Sequence, residues 1–151
     1  MAKLEYGDEA SRLVEAINTV PDTIGRRRAI LRALNLKTGE RVLDVGSGPG
    51  HQALEMSPMV GPSGKVDGID ISDSMLQIAR SRCNGVSNIE FHQGDAADLP
   101  FEVGTFDAVM SSMVFEYLPD VPGALREVHR VLKPGGRGDS RLRLECHFVA
   151  L

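Results

Sequence analysis

Residues 42–50 of this 151-residue chain read Val42-Leu43-Asp44-Val45-Gly46-Ser47-Gly48-Pro49-Gly50, and this stretch decides the fold. An apolar run followed by closely spaced glycines is typical of a buried strand that turns directly into a helix. The three glycines let the backbone turn sharply and approach a ligand where a Cβ atom would clash. The stretch therefore predicts a strand, a glycine loop (residues 46–50) and a helix that begins near His51.

Short apolar runs alternate with helical patterns beyond this loop, which is typical of a chain that folds into a parallel sheet. Further strands are predicted at 65–69, 89–92 and 106–110, and helices at 51–60, from 72 or 73 to about 83, and at 122–132. Two amphipathic helices, at about 10–18 and 23–34, precede the first strand. The predicted fold class is α/β: a doubly wound, Rossmann-like, mainly parallel sheet with an N-terminal helical extension.

The end of the chain departs from this pattern. Lys133-Pro134-Gly135-Gly136 is predicted to stop the last helix, so a fifth strand is expected only after Gly136. In the tail, Leu142, Leu144, Cys146 and Phe148 alternate with polar residues, a period that predicts a strand with one polar face. Two interpretations stay open for the tail: an edge strand of the sheet, or sequence foreign to the domain. An exposed edge would favour a homodimer, because its backbone groups are unpaired.

The composition excludes several classes of function. Seventeen basic and twenty-one acidic side chains give a net charge of −4, which offers no basic surface for nucleic acid. The run Arg26-Arg27-Arg28 is interpreted as the solvent-exposed face of a helix. No stretch approaches the ~20 apolar residues of a membrane helix, and no signal peptide is recognisable, so we expect a cytoplasmic protein without a membrane partner. Two cysteines without a CxxC pair and four scattered histidines predict no metal site.

Polar residues follow three of the predicted strands, at the edge where ligands bind in doubly wound sheets. The first of them are Asp44 and the glycine loop. Asp70 ends the second strand about twenty residues later, where a carboxylate can accept hydrogen bonds from both hydroxyls of a ribose. Asp95 follows the third strand, within reach of a base that lies over the sheet. The three groups together predict a nucleoside site.

In these motifs the chain resembles the class I S-adenosylmethionine-dependent methyltransferases, over about residues 38–137. The sequences of these motifs are most similar to those of the small-molecule branch, which includes the quinone-biosynthesis C-methyltransferases. The segments that carry the resemblance are Val42–Gly50, Gly68–Ser72, Gly94–Phe101, Phe106–Ser112 and Leu125–Gly136. The predicted domains are therefore an N-terminal helical extension at 1–37, an S-adenosylmethionine-binding α/β core at 38–137 and an atypical tail at 138–151.

The resemblance implies S-adenosylmethionine as the cofactor and a small molecule as the methyl acceptor. It implies that Asp44 and the glycine loop hold the methionine part and that Asp70 binds the ribose hydroxyls. Asp95 would accept a hydrogen bond from the adenine amino group, the Ala96 N–H would meet the ring, and Ser111 would face the methionine part and the acceptor. The implied cofactor-binding residues are Asp44, Gly46, Ser47, Gly48, Gly50, Asp70, Ile71, Asp95, Ala96 and Ser111.

No catalytic residue is assigned. Methyl transfer is an in-line displacement at a carbon that the sulfonium charge already activates, so orientation and desolvation are the protein's main contributions. Glu116 and Tyr117 stand where many relatives carry a histidine, and we expect them near the acceptor side.

Other interpretations compete with this one. Asp70 would also serve as a helix cap, Asp95 as a turn residue and Ser111 as a small strand-end residue. Residues 48–53 fit the G-x-G-x-x-A pattern of a nicotinamide dinucleotide site, although Asp44 and Asp95 are acids that such a site does not need. The resemblance implies seven strands, whereas the chain accommodates about five. The alternatives are therefore a catalytically impaired methyltransferase, a non-catalytic nucleoside-cofactor-binding or dimerising domain, and an NAD(P)-binding domain.

Overall fold

The computed structural model of the protein describes residues 7–112 and 114–138. The strand predicted within the tail therefore lies outside the described residues, and the division into three domains stays a prediction. The helices are α1 (Asp8–Thr19), α2 (Pro21–Leu34), α3 (His51–Val60), α4 (Asp73–Arg82) and α5 (Val121–Val131), with a short 3₁₀ helix at Phe115–Tyr117. The strands are β1 (Arg41–Val45), β2 (Lys65–Asp70), β3 (Ile89–Gln93), β4 (Phe106–Met110) and β5 (Leu132–Gly138).

The five strands form one sheet in the order β3-β2-β1-β4-β5, and every neighbouring pair is parallel. The chain runs outward from β1 to β3 and then crosses to the other side of β1 to form β4. The strand order therefore reverses between β1 and β4, which is where doubly wound sheets bind ligands. The predicted fold class is confirmed.

Helices cover both faces of the sheet, because the central strands are apolar on both sides. On one face Leu31 and Leu34 of α2, with Met56 and Val60 of α3, pack on a cluster that includes Val42. The other face is covered by α5 through its buried apolar side, which packs on a cluster from β1, β2 and β4. Within the described ranges, no helix combines the length and the apolar character needed to cross a membrane.

The fifth strand is where the structure corrects the sequence prediction. Helix α5 ends at Val131, within one residue of the predicted end, but β5 begins at once with Leu132, so the expectation that the fifth strand starts only after Gly136 is wrong. The glycines are accommodated because the pairing with β4 shifts register between Phe106 and Ala108. Arg137 then holds the end of β5 by donating from Nε to the Leu34 carbonyl at 2.9 Å.

The arginine run of α2 also differs from its interpretation. Arg26 and Arg28 are exposed as expected, but the Arg27 side chain is buried. Its Nε donates to Glu55 Oε1 of α3 at 2.9 Å, and its Nη1 donates to the Asn18 carbonyl of α1 at 3.2 Å. Arg27 therefore joins the two N-terminal helices to α3, a role that neighbouring residues in sequence do not reveal.

Replacing Arg27 by Gln should lower the free energy of unfolding by about 1–2 kcal/mol, because Glu55 and the Asn18 carbonyl lose charge-assisted hydrogen bonds. Arg28→Gln is the matched control and should change stability by less than about 0.5 kcal/mol. Urea unfolding of both variants measures the difference. Equal stabilities for the two variants would contradict the assigned role of Arg27.

Candidate functional site

The glycine loop begins where β1 ends, and β2 holds its first turn. The N–H groups of Gly46 and Ser47 both donate to the Ile69 carbonyl, at 2.8 and 3.0 Å. Gly46, Gly48 and Gly50 adopt φ values of 71°, 50° and 82°, a region that L side chains rarely occupy. The backbone of this loop therefore depends on its glycines, as the sequence analysis predicted.

The glycines of the loop differ in what surrounds them. A Cβ atom on Gly46 would lie 1.7 Å from Cγ2 of Val114, which belongs to the segment after β4. One on Gly50 would lie 3.0 Å from Cβ of Ala79 in α4. A Cβ atom on Gly48 would meet no atom within 4 Å. The loop is thus packed against protein at both ends and open at its middle, where a ligand has room.

Asp70 connects the glycine loop to the start of α4. Its Oδ2 accepts a hydrogen bond from the Gly48 N–H and its Oδ1 accepts one from the Ser72 N–H, each at 2.9 Å. Burial raises the pKa of the Asp70 carboxyl above its ordinary value, although backbone N–H donors oppose the shift. Ser72 itself caps α4 by accepting from the Met75 N–H, so Asp70 is not needed as the cap. The hydrogen bond from Gly48 is a role of Asp70 that the sequence analysis missed.

Asp95 lies at the same edge of the sheet, two residues beyond the end of β3. The preceding Gly94 N–H donates to the backbone carbonyl of Asp70 at 3.1 Å, which joins the two strand ends. Asp95 Oδ1 accepts from the Ala97 N–H at 2.9 Å, so the turn role considered from sequence is present. Ala96 is buried beside it.

Helix α5 holds the segment that contains Asp95. Glu127 accepts a hydrogen bond from the Leu99 N–H at 2.8 Å, and Arg130 donates to the carbonyls of Leu99 and Phe101 at 2.9 and 2.8 Å. Arg130 also donates to the Glu127 carboxylate, and this hydrogen bond, together with the one from the Leu99 N–H, lowers the pKa of the Glu127 carboxyl. A helix far along the chain therefore positions the loop after β3.

Asp44 and Ser111 occupy neighbouring strand ends and are both buried. Asp44 pairs in register with Met110, the residue before Ser111. Ile71 follows Asp70, and its carbonyl accepts a hydrogen bond from the Gln93 side chain at 3.2 Å. The predicted cofactor-binding residues thus lie on the ends of four adjacent strands and on the loops that follow them.

Two buried oxygens beside the glycine loop have no hydrogen-bond partner in the described part of the chain. They are Oγ of Ser47 and Oε1 of Gln52, whose residues are 3% and 6% exposed. A buried polar atom without a partner costs about 1–3 kcal/mol, so such atoms point to a polar ligand. Gln52 was not among the predicted site residues, because no motif recognised in the sequence assigns a role to this position of α3.

The residues expected near the acceptor lie on the 3₁₀ helix after β4. Glu116 and Tyr117 are both exposed, and the Tyr117 side chain is 75% accessible. Val114, immediately before this helix, packs on Gly46. The segment after β4 therefore contacts the glycine loop, while Glu116 and Tyr117 lie at the surface.

With this geometry in place, comparison with known proteins is informative. Residues 42–136 match the family described as "Methyltransferase domain". The chain belongs to this family. The match confirms the resemblance to the class I S-adenosylmethionine-dependent methyltransferases of the small-molecule branch.

Relatives and solved structures agree with the family. Demethylmenaquinone methyltransferase of Staphylococcus carnosus is 41% identical over 110 residues, which are 73% of this chain and 46% of the relative. A SAM-dependent methyltransferase from Aquifex aeolicus superposes with a TM-score of 0.73 at 30% identity, covering 82% of this chain and 68% of that one.

A third comparison is Haemonchus contortus phosphoethanolamine N-methyltransferase 2, whose solved complex contains S-adenosyl-L-methionine. It gives a TM-score of 0.79 at 29% identity and covers 89% of this chain and 32% of that one. The chain spans about half the length of the curated relatives that it matches.

Within the methyltransferase domain, the packing of Gly46 predicts a difference between two glycines. Gly46→Ala should destabilise the protein by about 3 kcal/mol or more, because the substitution adds a clash with Val114 to the strain of positive φ. Gly104→Ala is the matched control, since Gly104 also has positive φ (65°) but open space around it. The control should cost only about 1–2 kcal/mol. Thermal and urea unfolding measure both variants, and equal losses would contradict the packing described for Gly46.

Proposed function

We propose that this protein is an S-adenosylmethionine-dependent methyltransferase that acts on a small molecule. The observation that carries the proposal is the half-buried Asp70 carboxylate, which lies at the end of β2 and receives the N–H of Gly48 from the glycine loop. The name of the Staphylococcus carnosus relative and the cofactor in the Haemonchus contortus structure support the same chemistry.

The residues present fit this cofactor. Gly48 leaves open space at the middle of the loop, and Oγ of Ser47 is buried beside it without a partner in the described residues. Oε1 of Gln52 is a second such acceptor. An amino acid moiety carries ammonium donors that match buried acceptors of this kind.

Asp70 would hold the ribose. Each of its oxygens accepts one backbone N–H, and a carboxylate oxygen has a second lone pair that a ribose hydroxyl can use. Oδ2 of Asp95 would accept a hydrogen bond from the adenine amino group, while Oδ1 keeps the hydrogen bond that it accepts from the Ala97 N–H. Ile71 and Ala96 would line the nucleoside between these two acids.

Asp44 and Ser111, with the first turn of the loop, would hold the methionine part. S-adenosylmethionine, when bound, supplies a methyl group on a positively charged sulfur. The chain contributes by orienting the two reactants and excluding water, through the buried strand ends of β1 and β4. The bond from sulfur to the methyl group breaks as the bond to the acceptor forms, and the proton that the acceptor loses passes to a base or to water, so a dedicated acid or base on the protein is optional.

The acceptor would approach from the segment that follows β4. The similarity to a demethylmenaquinone methyltransferase favours, as the acceptor, a ring carbon of a quinone-related small molecule in its reduced, electron-rich form, which can act as the nucleophile. We also propose a cytoplasmic location and a homodimer through an exposed sheet edge. Light scattering of the purified protein measures the second of these: twice the chain mass supports a dimer and a single chain mass rejects it.

A second candidate function is a cofactor-binding domain without catalysis. The surface positions of Glu116 and Tyr117, which were expected at the acceptor side, favour this candidate. The dinucleotide alternative has less support, since the family match concerns methyltransferases. Transfer of labelled methyl groups into an extract of small molecules distinguishes an enzyme from a binding domain.

Calorimetry with S-adenosylhomocysteine tests the cofactor site directly. Asp70→Ala should weaken binding by roughly 100-fold or more, because it removes two charge-assisted hydrogen bonds to the ribose. Asp73→Asn is the matched control, an exposed acid in the first turn of α4, and should bind as the wild type does. A folded wild-type protein that binds NADH in preference to S-adenosylhomocysteine would reject the proposal.

Binding should also depend on pH through Asp70. Its pKa is raised in the free protein by burial, whereas ribose hydroxyls would favour the ionised form and lower the pKa in the complex. Affinity should therefore be constant well above the raised pKa and fall as the pH drops through it, by about tenfold per pH unit. The decline should begin at a higher pH than an ordinary aspartate would give. Titrations of wild type and Asp70→Asn check this, and the same decline in both would contradict the role of Asp70.

A further inference from the structure

Helix α1 docks on the rest of the protein with little apolar burial. Its outer side exposes Leu13 and Ile17, which are 62% and 41% accessible, and Val20 beyond its end is 44% accessible. Hydrophobic packing is proportional to the area removed from water, so these side chains contribute little to docking. The position of α1 therefore depends strongly on its polar contacts.

Glu15 makes the central polar contact of α1. Its Oε1 accepts a hydrogen bond from Nη2 of Arg82, at the end of α4, and lies 3.4 Å from Nε2 of His51, the first residue of α3. The Glu15 and Arg82 side chains are 31% and 24% exposed, so water screens the pair only in part. One carboxylate thus connects α1 to the start of α3 and to the end of α4, the two helices that pack beside the glycine loop.

Arg82 extends this connection to the glycine loop itself. While Nη2 meets Glu15, Nε donates to the Pro49 carbonyl at 2.8 Å. Pro49 lies between Gly48, whose N–H meets Asp70, and Gly50, which precedes His51. A single planar guanidinium therefore joins α1 to the middle of the loop, and its fork geometry fixes their relative position.

The surrounding charges make Glu15 the acceptor that this cluster needs. Burial, together with the charges of Arg82 and Arg27, lowers the pKa of His51, while Glu15 opposes that shift. His51 is therefore mostly neutral near pH 7, and the permanent cations are the two arginines. Arg27 is matched by Glu55, which leaves Glu15 as the carboxylate that pairs with Arg82.

We propose that Glu15 is a positioning residue that docks α1 on the glycine loop through Arg82 and thereby sets how tightly the loop retains its cofactor. The effect on retention rests on the proposed function, whereas the docking does not. Removing the Glu15 charge loosens α1, which keeps only its contact with Arg27 through the Asn18 carbonyl among the polar contacts described, and leaves the Pro49 carbonyl held by an arginine that has lost its second partner. Both changes loosen the loop that Gly46–Gly50 form.

Hydrogen exchange without any ligand tests the docking. Glu15→Gln should increase exchange in the amides of α1 and of residues 46–52 compared with the wild type. Glu9→Gln is the matched control, because Glu9 is an exposed acid on the same helix, and it should leave both regions unchanged. Equal exchange in Glu15→Gln and Glu9→Gln would overturn the proposal. Urea unfolding establishes that each variant is folded under the conditions used.

Binding of S-adenosylhomocysteine tests retention. Glu15→Gln should weaken affinity by roughly 5- to 20-fold, through faster dissociation, and Glu9→Gln should not. In an Arg82→Gln background, Glu15→Gln should have little further effect, since the pair is already broken. A purely structural contribution of Glu15 would instead add its full effect in both backgrounds, which would overturn the assignment.

The outcomes separate this inference from the function on which it rests. A folded wild type that does not bind S-adenosylhomocysteine would overturn the proposed function and the effect on retention together. Wild-type binding with unchanged affinity in Glu15→Gln would overturn only the role of Glu15.

Discussion

The carboxylate of Asp70 is the interaction on which the site depends. It is half-buried at the end of β2, and its two oxygens accept N–H groups from two different segments: Gly48 in the glycine loop and Ser72 before α4. Removing a charge from water costs free energy unless the charge is hydrogen-bonded, so the stability of the fold depends on both segments donating to this carboxylate. The same requirement presents a carboxylate with remaining lone pairs at the edge of the sheet where a ligand binds.

The rest of the molecule serves to place that edge. The parallel order β3-β2-β1-β4-β5 brings the carboxyl ends of the strands together and reverses between β1 and β4, which is where doubly wound sheets bind ligands. Distant elements then hold the loops: α5 holds the segment after β3 through Glu127 and Arg130, and α1 reaches the glycine loop through Glu15 and Arg82. The loops of the site are therefore positioned by charge-assisted hydrogen bonds from helices that carry no motif.

Much of the fold was predictable from sequence because local signals agree with tertiary structure. The bounds of α3 and β4 match the prediction residue for residue, and α4 begins at Asp73, one of its two predicted starts. The buried Arg27 was not predictable, since its partner Glu55 lies 28 residues away in α3. The start of β5 was placed too late because a glycine- and proline-rich stretch is not expected inside a strand, whereas here Arg137 and a register shift fit it onto β4. In the candidate site, the structure brings the predicted motif positions to one edge of the sheet, where their binding roles stay predictions, whereas Gln52 and the hydrogen bond from Gly48 to Asp70 were visible only in the structure.

We propose that the Asp70 carboxylate is held in a partly desolvated position where a ribose would complete its hydrogen bonding. Carboxyl-detected NMR of the Asp70 side chain, titrated with pH in the presence and absence of S-adenosylhomocysteine, measures this most directly. The account predicts a pKa above the ordinary aspartate value in the free protein and a lower pKa in the complex. A pKa that stays the same when S-adenosylhomocysteine binds would contradict it.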